Sequence, residues 1–397
     1  MKIFFVPLIV ALLVIIAIDY FIYRKLKKSE RWKKGWRRAH VATALPLTAG
    51  MVSLVFIPHD SASNDVLRWV MWFLFIFYGF ITIKVVALLI YSLSWVKSLP
   101  EKGKKFVRFA AIASAVILAV ILIFSMAVTP YRYEVNRVTL TFENLPKAFD
   151  GYTIAHFSDT HVGTYGSDTA FVSRYVNAIN ELKPNLICFT GDLVNRRTSE
   201  AQPFNDIFKR LHATDGVISI LGNHDYDDYS AWETAAEKEA DQQALRRLED
   251  IYGWTLIDND HIFITHGSDS IAIIGMGNYA GSSKHNPTYG KLEVSYPNVN
   301  DSCFKILLQH NPEAWRAQIT GKTNIDLTLS GHTHAMQIMF NIFGHRLSPA
   351  RFKFKEWGGH YTEGKQQLYV NIGMGMVGVP MRIGATPEIT LITLKRK

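Results

Sequence analysis

Four apolar runs crowd the first third of this sequence: Ile3 to Tyr23, Val41 to Ile57, Trp69 to Val96 and Phe109 to Thr129. Crossing a hydrocarbon core takes about 20 apolar residues, with a range of roughly 17 to 25, so four transmembrane helices are predicted over residues 1–130. The second run is short and holds Pro46 and Gly50, which membrane helices accept when neighbouring segments satisfy the freed backbone. The first run is read as an uncleaved helix, not a signal peptide. Its basic cluster follows the apolar stretch, and no small-x-small site closes it.

The charge of the chain belongs to the same region. Residues 1–130 carry 17 Lys+Arg against 5 Asp+Glu, whereas residues 131–397 carry 26 against 29. A nucleic-acid footprint needs a basic face on the folded domain, so no nucleic-acid partner is expected. The pattern is that of membrane topology. Arg24 to Arg38 holds nine Lys/Arg and one Glu, Lys97 to Arg108 holds five and one, and Pro58 to Leu67 between them holds only Asp60 and Asp65. The two basic loops are therefore assigned to the cytoplasm. The C-terminal domain then lies outside the cytoplasmic membrane, in the periplasm where the cell has an outer membrane. Asp19 and Lys84 interrupt the first and third runs. Snorkelling, or a pair that fixes helix packing, is the simple account, with a transport path as the alternative.

From about Pro130 the pattern changes to short apolar runs ending in Gly, Asp, Asn or His, alternating with amphipathic segments. Strands are predicted at Arg137–Phe142, Tyr152–Phe157, Asn185–Phe189, Gly216–Leu221, Ile271–Ile274, Phe304–Leu308, Ile325–Leu329, Gln367–Ile372 and Glu388–Leu394. Helices are predicted at Ser167–Leu182, Pro203–His212 and Ala231–Ile251, the last read as a solvated helix. This gives one α/β domain over residues 131–397, large enough to fold without staples. Two cysteines, Cys188 and Cys303, exclude a disulfide scaffold and a cysteine-rich zinc module. Both are read as buried free thiols.

The chemistry is concentrated where the predicted strands end. There the chain places Asp159-Thr160-His161, Gly191-Asp192, Gly222-Asn223-His224-Asp225, His310-Asn311 and Gly331-His332-Thr333-His334. Residues i and i+2 of an extended segment point the same way, so Asp159 with His161, and His332 with His334, are each expected to aim two ligands into one site. Glycines before Asp192, Asn223 and His332 let backbone approach where a side chain would clash. Carboxylate, imidazole and amide without thiolate suit manganese, iron or zinc. Asp159, His161, Asp192, Asn223, His310, His332 and His334 exceed what one ion needs, so two divalent ions sharing a carboxylate are expected. Such a pair, roughly 3.5–4 Å apart, activates water and clamps the oxygens of an in-line displacement at phosphorus.

These five motifs in this order resemble the calcineurin-like metallophosphoesterase superfamily over residues 150–394. The resemblance implies a four-layer α/β/β/α sandwich, here preceded by four transmembrane helices. It also implies roles: Asp159, His161 and His334 on the first metal, Asn223, His310 and His332 on the second, and Asp192 bridging. His224 would approach the leaving oxygen and Asp225 would orient it. The run Gly373 to Gly384, followed by Pro387-Glu388-Ile389, is similar to a branch of membrane-anchored or exported envelope phosphodiesterases that includes some UDP-2,3-diacylglucosamine hydrolases. That branch usually follows Gly-His-Thr-His with Gly-Gly-Gln. Ala335-Met336-Gln337 stands here instead, which leaves the substrate open.

Arg196, Arg197 and Arg382 are candidates for contacting a substrate phosphate, because a guanidinium recognises phosphate bidentately. For the first two, a solvated pair is the alternative. Ala335 to Phe343 is unusually apolar for a segment leaving a metal site. Packing in the core is the simple account, contact with lipid or an acyl chain the other. His156, His261, His266 and His345 are read as structural, and Tyr279 to Tyr296 as a substrate lid. The expected function is a membrane-anchored dinuclear-metal phosphoesterase acting on a phosphate ester or diester of a cell-envelope lipid or glycan. Two alternatives stay open: a cytoplasm-facing UDP-2,3-diacylglucosamine pyrophosphate hydrolase, and a catalytically silent metal-binding sensor or scaffold. Nothing in the sequence speaks to oligomeric state.

Overall fold

The computed structural model describes residues 5–28, 34–57, 63–281 and 287–397. Parts of four segments named in the sequence lie outside the described residues: 3–4 of the first apolar run, 29–33 of the first basic stretch, 58–62 of the acidic loop, and 282–286 of the Tyr279 to Tyr296 loop. The chain divides into two compact units, Met1–Phe124 with Gly378–Pro380, and Ser125–Val377 with Met381–Lys397.

The first unit is helical, built from α1 (Phe5–Lys28), α2 (Lys34–Ser53), α3 (Asn64–Ser92) and α4 (Glu101–Ala127), the last of which ends in the second unit. Among the described residues, two segments, Asn64–Trp95 and Glu101–Tyr131, are long and apolar enough to cross a membrane. The expected second run is displaced. α2 starts at Lys34, takes Arg37, Arg38 and His40 into its first turns, and continues past Pro46 to Ser53. Ile15, Met51, Leu54, Val70 and Phe77 form its apolar core. Lys84 Nζ donates to Asp19 Oδ1 at 2.6 Å, and His40 Nε2 lies 3.6 Å from the same oxygen. The two charges inside the apolar runs are thus paired, which relieves the penalty of each alone.

Among its described residues the second unit carries fourteen strands. They are β1 (Glu134–Phe142), β2 (Thr153–Phe157), β3 (Leu186–Phe189), β4 (Val217–Ser219), β5 (Trp254–Leu256), β6 (Asp260–His266), β7 (Asp269–Met276), β8 (Phe304–Gln309), β9 (Leu327–Ser330), β10 (Phe340–Ile342), β11 (His345–Leu347), β12 (Gly359–Glu363), β13 (Gln366–Val370) and β14 (Glu388–Arg396). One six-stranded sheet has the order β1-β14-β2-β3-β4-β5 and the other β12-β13-β9-β8-β7-β6, while β10 and β11 form a separate hairpin. The central strands β2, β3 and β4 run parallel, as do β7, β8 and β9.

Side-chain alternation explains the layering. Leu186 and Cys188 of β3 join Ile306 and Leu308 of β8 in a core between the sheets, whereas Ile187 and Phe189 point the other way against α5 (Ala170–Glu181), α6 (Asn205–Phe208) and α7 (Ala235–Ile251). Leu307 of β8 packs outward with Trp315 and Ile319. Both faces of each sheet are covered, which is why these strands read as continuous apolar runs. Three expectations need correction. α7 is not a wholly solvated helix, because Leu245, Leu248 and Glu249 are buried. Cys303 is free but only partly buried, unlike Cys188. The Ala335 to Phe343 run does not pack in the core as a whole: Ala335 is buried, but every residue of β10 and β11 is exposed.

Candidate metal centre

Every motif residue leaves a strand at its carboxyl end: Asp159 and His161 after β2, Asp192 after β3, Asn223 to Asp225 after β4, His310 after β8, and His332 and His334 after β9. Ligands in open α/β sheets collect at this edge. The two sheets meet there, and His310 Nδ1 lies 2.7 Å from the carbonyl of Thr190, just beyond β3.

The ligand pairs are not extended as the sequence implied. Asp159, His161, Asp192, His332 and His334 all lie in the left-handed region, with φ of 52°, 41°, 62°, 73° and 49°. Each strand ends in a tight turn that brings its side chains back over the sheet edge, and backbone of this kind persists where surrounding contacts over-determine it. Those contacts are visible. The N–H of His332 donates to both carboxylate oxygens of Asp159 at 3.0 Å, and the N–H of His224 to Asp192 Oδ1 at 2.8 Å. A Cβ on Gly331 would stand 2.2 Å from Asp159 Oδ2, and one on Gly191 2.2 Å from the backbone nitrogen of Gly222. Only glycine lets these loops close.

Three groups of side chains could each hold a cation: Asp159, His161 and His334; His161, Asp192 and His224; and Asp192, His310 and His332. His334 Nε2 lies 3.1 Å from Asp159 Oδ1 and 3.1 Å from His161 Nε2, while His310 Nε2 lies 3.1 Å from Asp192 Oδ2 and 3.3 Å from His332 Nδ1. Asn223 donates its amide to the Tyr229 hydroxyl, which leaves its Oδ1 buried without a partner. An orphaned amide oxygen beside converging imidazole nitrogens and carboxylates fits a divalent cation and makes little sense without one.

Electrostatics prepares the same donors. Burial opposes ionisation of Asp159 and Asp192, yet the neighbouring imidazoles hold both carboxyls below the usual range. Burial pushes His161 down to about 4 and, helped by His310, His332 down to about 3. Ionised carboxylate and neutral imidazole are the forms that bind metal. His310 is the exception: burial works against its cation, but Asp192 and Asp159 raise it to about 9. Its proton must leave before its nitrogen can ligate.

A family model described as calcineurin-like phosphoesterase matches residues 152–336. The uncharacterized metallophosphoesterase YkuE of Bacillus subtilis is 33% identical over 273 residues, covering 67% of this chain and 87% of that protein. The chain belongs to the calcineurin-like phosphoesterase family. This makes it a phosphoric ester hydrolase of a family that uses divalent metal. A transmembrane protein with metallophosphoesterase domain from Danio rerio is 29% identical over 296 residues, covering 72% of this chain but only 62% of its own length. An uncharacterized metallophosphoesterase of Helicobacter pylori J99 is 26% identical with 97% of each chain covered. Together with the two membrane-length helices, the fish relative points to membrane association.

The remaining residues of this metallophosphoesterase are placed less as expected. Asp225 does not touch the His224 ring among the described hydrogen bonds. It accepts the N–H groups of Gly222, Asp192, Leu193 and Val194, tying the loops after β3 and β4 together. The ring is held instead by Asn195, whose carbonyl lies 2.6 Å from Nδ1, and by Tyr229, stacked at 4.0 Å and 5°. A carbonyl only accepts, so Nδ1 carries the proton and Nε2 is the available atom. Neither Asn195 nor Tyr229 was singled out from sequence. The aromatic five residues after His224 was the available signal.

Arg197 and Arg196 fold onto the following loop rather than standing as a solvated pair. The first stacks on Trp232 at 4.3 Å and donates to Ala231, and the second donates to the Tyr229 carbonyl. Arg382 is fully buried. Its guanidinium donates to the carbonyls of Ile372, Gly373, Gly375 and Ala385 and lies 3.2 Å from His334 Nδ1. Its donors are directed at these carbonyls, where it holds the glycine-rich loop behind His334. His156 is buried against Thr190.

Proposed function

We propose that this chain is a membrane-anchored dinuclear phosphoesterase acting, outside the cytoplasm, on a phosphate ester or diester of an envelope lipid or glycan. The observation that carries the reading is the sharing of ligands: Asp192 stands in two of the three cation-competent groups and His161 in two. Two ions joined by one carboxylate fit this arrangement better than one. Asp159, His161 and His334 would hold the first, Asn223, His310 and His332 the second, with Asp192 between them and manganese, iron or zinc as the ions. Bound there, they supply an activated water and neutralise charge on the phosphoryl oxygens. His224 keeps Nδ1–H on the Asn195 carbonyl and, protonated at Nε2, hands a proton to the leaving oxygen. Asn195 and Tyr229 hold that ring in place. Four crossings by α1 to α4 with cytoplasmic basic loops are the topology that puts this domain outside.

The test is hydrolysis of a chromogenic phosphodiester by the full chain in detergent, after chelation and re-addition of manganese, with Asp192→Asn and His224→Ala in parallel. Metal-dependent turnover that falls about a hundredfold or more in both variants supports the assignment. Turnover untouched by chelation, or equal in the variants, overturns it.

A further inference from the structure

The segment that leaves the metal centre carries an apolar surface that is exposed among the described residues. β10 and β11 pair Phe340 with Leu347 and Ile342 with His345, so the three apolar residues share one face, opposite Asn341 and Arg346. The turn between them is Phe343-Gly344, with φ of 52° and 83°. Two positive φ values make this the hairpin turn in which Asn-Gly is the favoured pair. A phenylalanine occupies the first position, 97% exposed. Met336, also at positive φ, is 42% exposed, and Phe352, just beyond the hairpin, is 90% exposed. A strained backbone that lifts large apolar side chains into water gains nothing inside this chain.

Charge says what covers them. From Ala335 to Lys355 the sequence has Arg346, Arg351, Lys353 and Lys355 and no acidic residue, in a domain whose Lys and Arg are otherwise outnumbered by Asp and Glu. All four cations are exposed. Exposed aromatics with cations close in sequence, Arg351 standing 5.9 Å from the Phe352 ring, match the interface of an anionic bilayer, where rings enter the headgroup region and Lys or Arg meets lipid phosphate. Met339 and Gln337 exchange backbone hydrogen bonds with Ile383, and the N–H of the adjacent Arg382 donates to the carbonyl of Ser125, in the last turn of α4. At its other end the patch reaches the metal centre: Lys353 Nζ stands 4.7 Å over Phe354, whose ring lies 5.6 Å from that of His332.

We infer that the Phe340–Leu347 hairpin and Phe352 dock into an anionic lipid interface and deliver a lipid-borne phosphoester to the metal centre. The substrate half of this inference rests on the phosphoesterase reading above; the docking half does not. Met336, Phe343 and Phe352 enter the headgroup region, and Arg346, Arg351 and Lys353 engage lipid phosphates.

The full chain, carrying Phe343→Cys and Cys303→Ser, is labelled with an environment-sensitive fluorophore and placed in nanodiscs of phosphatidylcholine with or without phosphatidylglycerol. Docking is expected to shift emission to the blue and to allow quenching by lipids brominated near the headgroup, more strongly with the anionic lipid. Emission unchanged from detergent, with full access to aqueous iodide, overturns it. Protection from iodide without bromolipid quenching also overturns it and assigns the tip to a protein partner. In parallel, Arg346→Glu with Arg351→Glu is expected to lower turnover of a lipid-embedded phosphodiester about tenfold or more, through KM, while a soluble diester is cut at the wild-type rate. Equal loss on both substrates sinks the delivery role. A chain that docks but cuts neither keeps the surface and sinks the phosphoesterase reading.

Discussion

Two neighbouring segments, Gly331–His334 and Ala335–Leu347, use the same unusual backbone to opposite ends. His332 and His334 take φ of 73° and 49° in a buried polar site, whereas Met336 and Phe343 take 48° and 52° with their side chains in water. In the first segment the strain is held by hydrogen bonds from His332 to Asp159 and by Arg382 behind His334. In the second, Ser348 ties back to the Ala335 carbonyl and Ile338 bridges to Ile383, but the tip residue Phe343 stays 97% exposed, with no contact among the described residues to offset its turn. Left-handed backbone costs roughly 1–2 kcal/mol per non-glycine residue. Where internal contacts do not return that cost, an external partner is the remaining reason to keep it.

The comparison is broken most directly from the site side. Gly331→Ala places a methyl 2.2 Å from Asp159 Oδ2 and 2.0 Å from Ser158 Oγ, so the loop must move and the first group of ligands with it. Manganese binding to the full chain, read by calorimetry, is expected to weaken by at least about a hundredfold, with little change in soluble expression. An unchanged affinity would show that the site does not depend on this closure. Arg382→Met is the next largest. It leaves several buried carbonyls without a donor, and an expected loss of roughly 3–5 kcal/mol should appear as a large fall in Tm in detergent, together with weaker metal binding. A Tm within a degree or two of wild type would mean the glycine-rich loop holds itself.

A buried acid away from both segments tests whether burial alone produces such costs. Glu249 on α7 accepts from the Ser219 hydroxyl, and burial pushes its carboxyl up to about 8 from an ordinary 4.5. Because the folded value is the higher one, the stability it contributes is complete below about pH 4.5 and is lost as pH rises through 8. Glu249→Gln should therefore match wild type near pH 4.5 and exceed it at pH 9 by roughly 5 kcal/mol, read from pH-dependent thermal unfolding. Parallel curves would place the carboxylate in contact with water.

The same contrast explains what sequence could and could not reveal. The candidate ligands were legible because each is a short local motif at the end of an apolar strand, and strand ends are where a parallel sheet exposes backbone for a site. The geometry that joins them was not, since nothing local separates an extended Asp-x-His from one folded into a left-handed turn. The strands that short apolar runs revealed are those buried on both faces, such as β3 and β8. β6 and β12, half exposed, and the β10–β11 hairpin, exposed throughout, carry no core signature, so their residues read as loop or as misplaced core. Glu249 was invisible for the reverse reason: an acidic residue on a charged helix reads as solvent-facing until Ser219 is seen beneath it.

The smallest expected effect is the sharpest test of the comparison. Met336→Gly and Phe343→Asn put at each position a residue that accepts positive φ, and Asn-Gly is the preferred pair for the hairpin turn. If the two side chains serve only the fold, removing them should weaken it. If they are held in water for a partner, each change should raise Tm of the detergent-solubilised chain, by an amount corresponding to about 1 kcal/mol, because strain is relieved and little packing is lost at sites 42% and 97% exposed. The same variants should then dock less well to anionic nanodiscs. A gain in stability coupled to a loss of lipid contact marks side chains kept for function against the preference of their own backbone. By contrast, glycine or asparagine at His332 or His334 removes a candidate ligand along with the strain, so relief there should come with weaker metal binding.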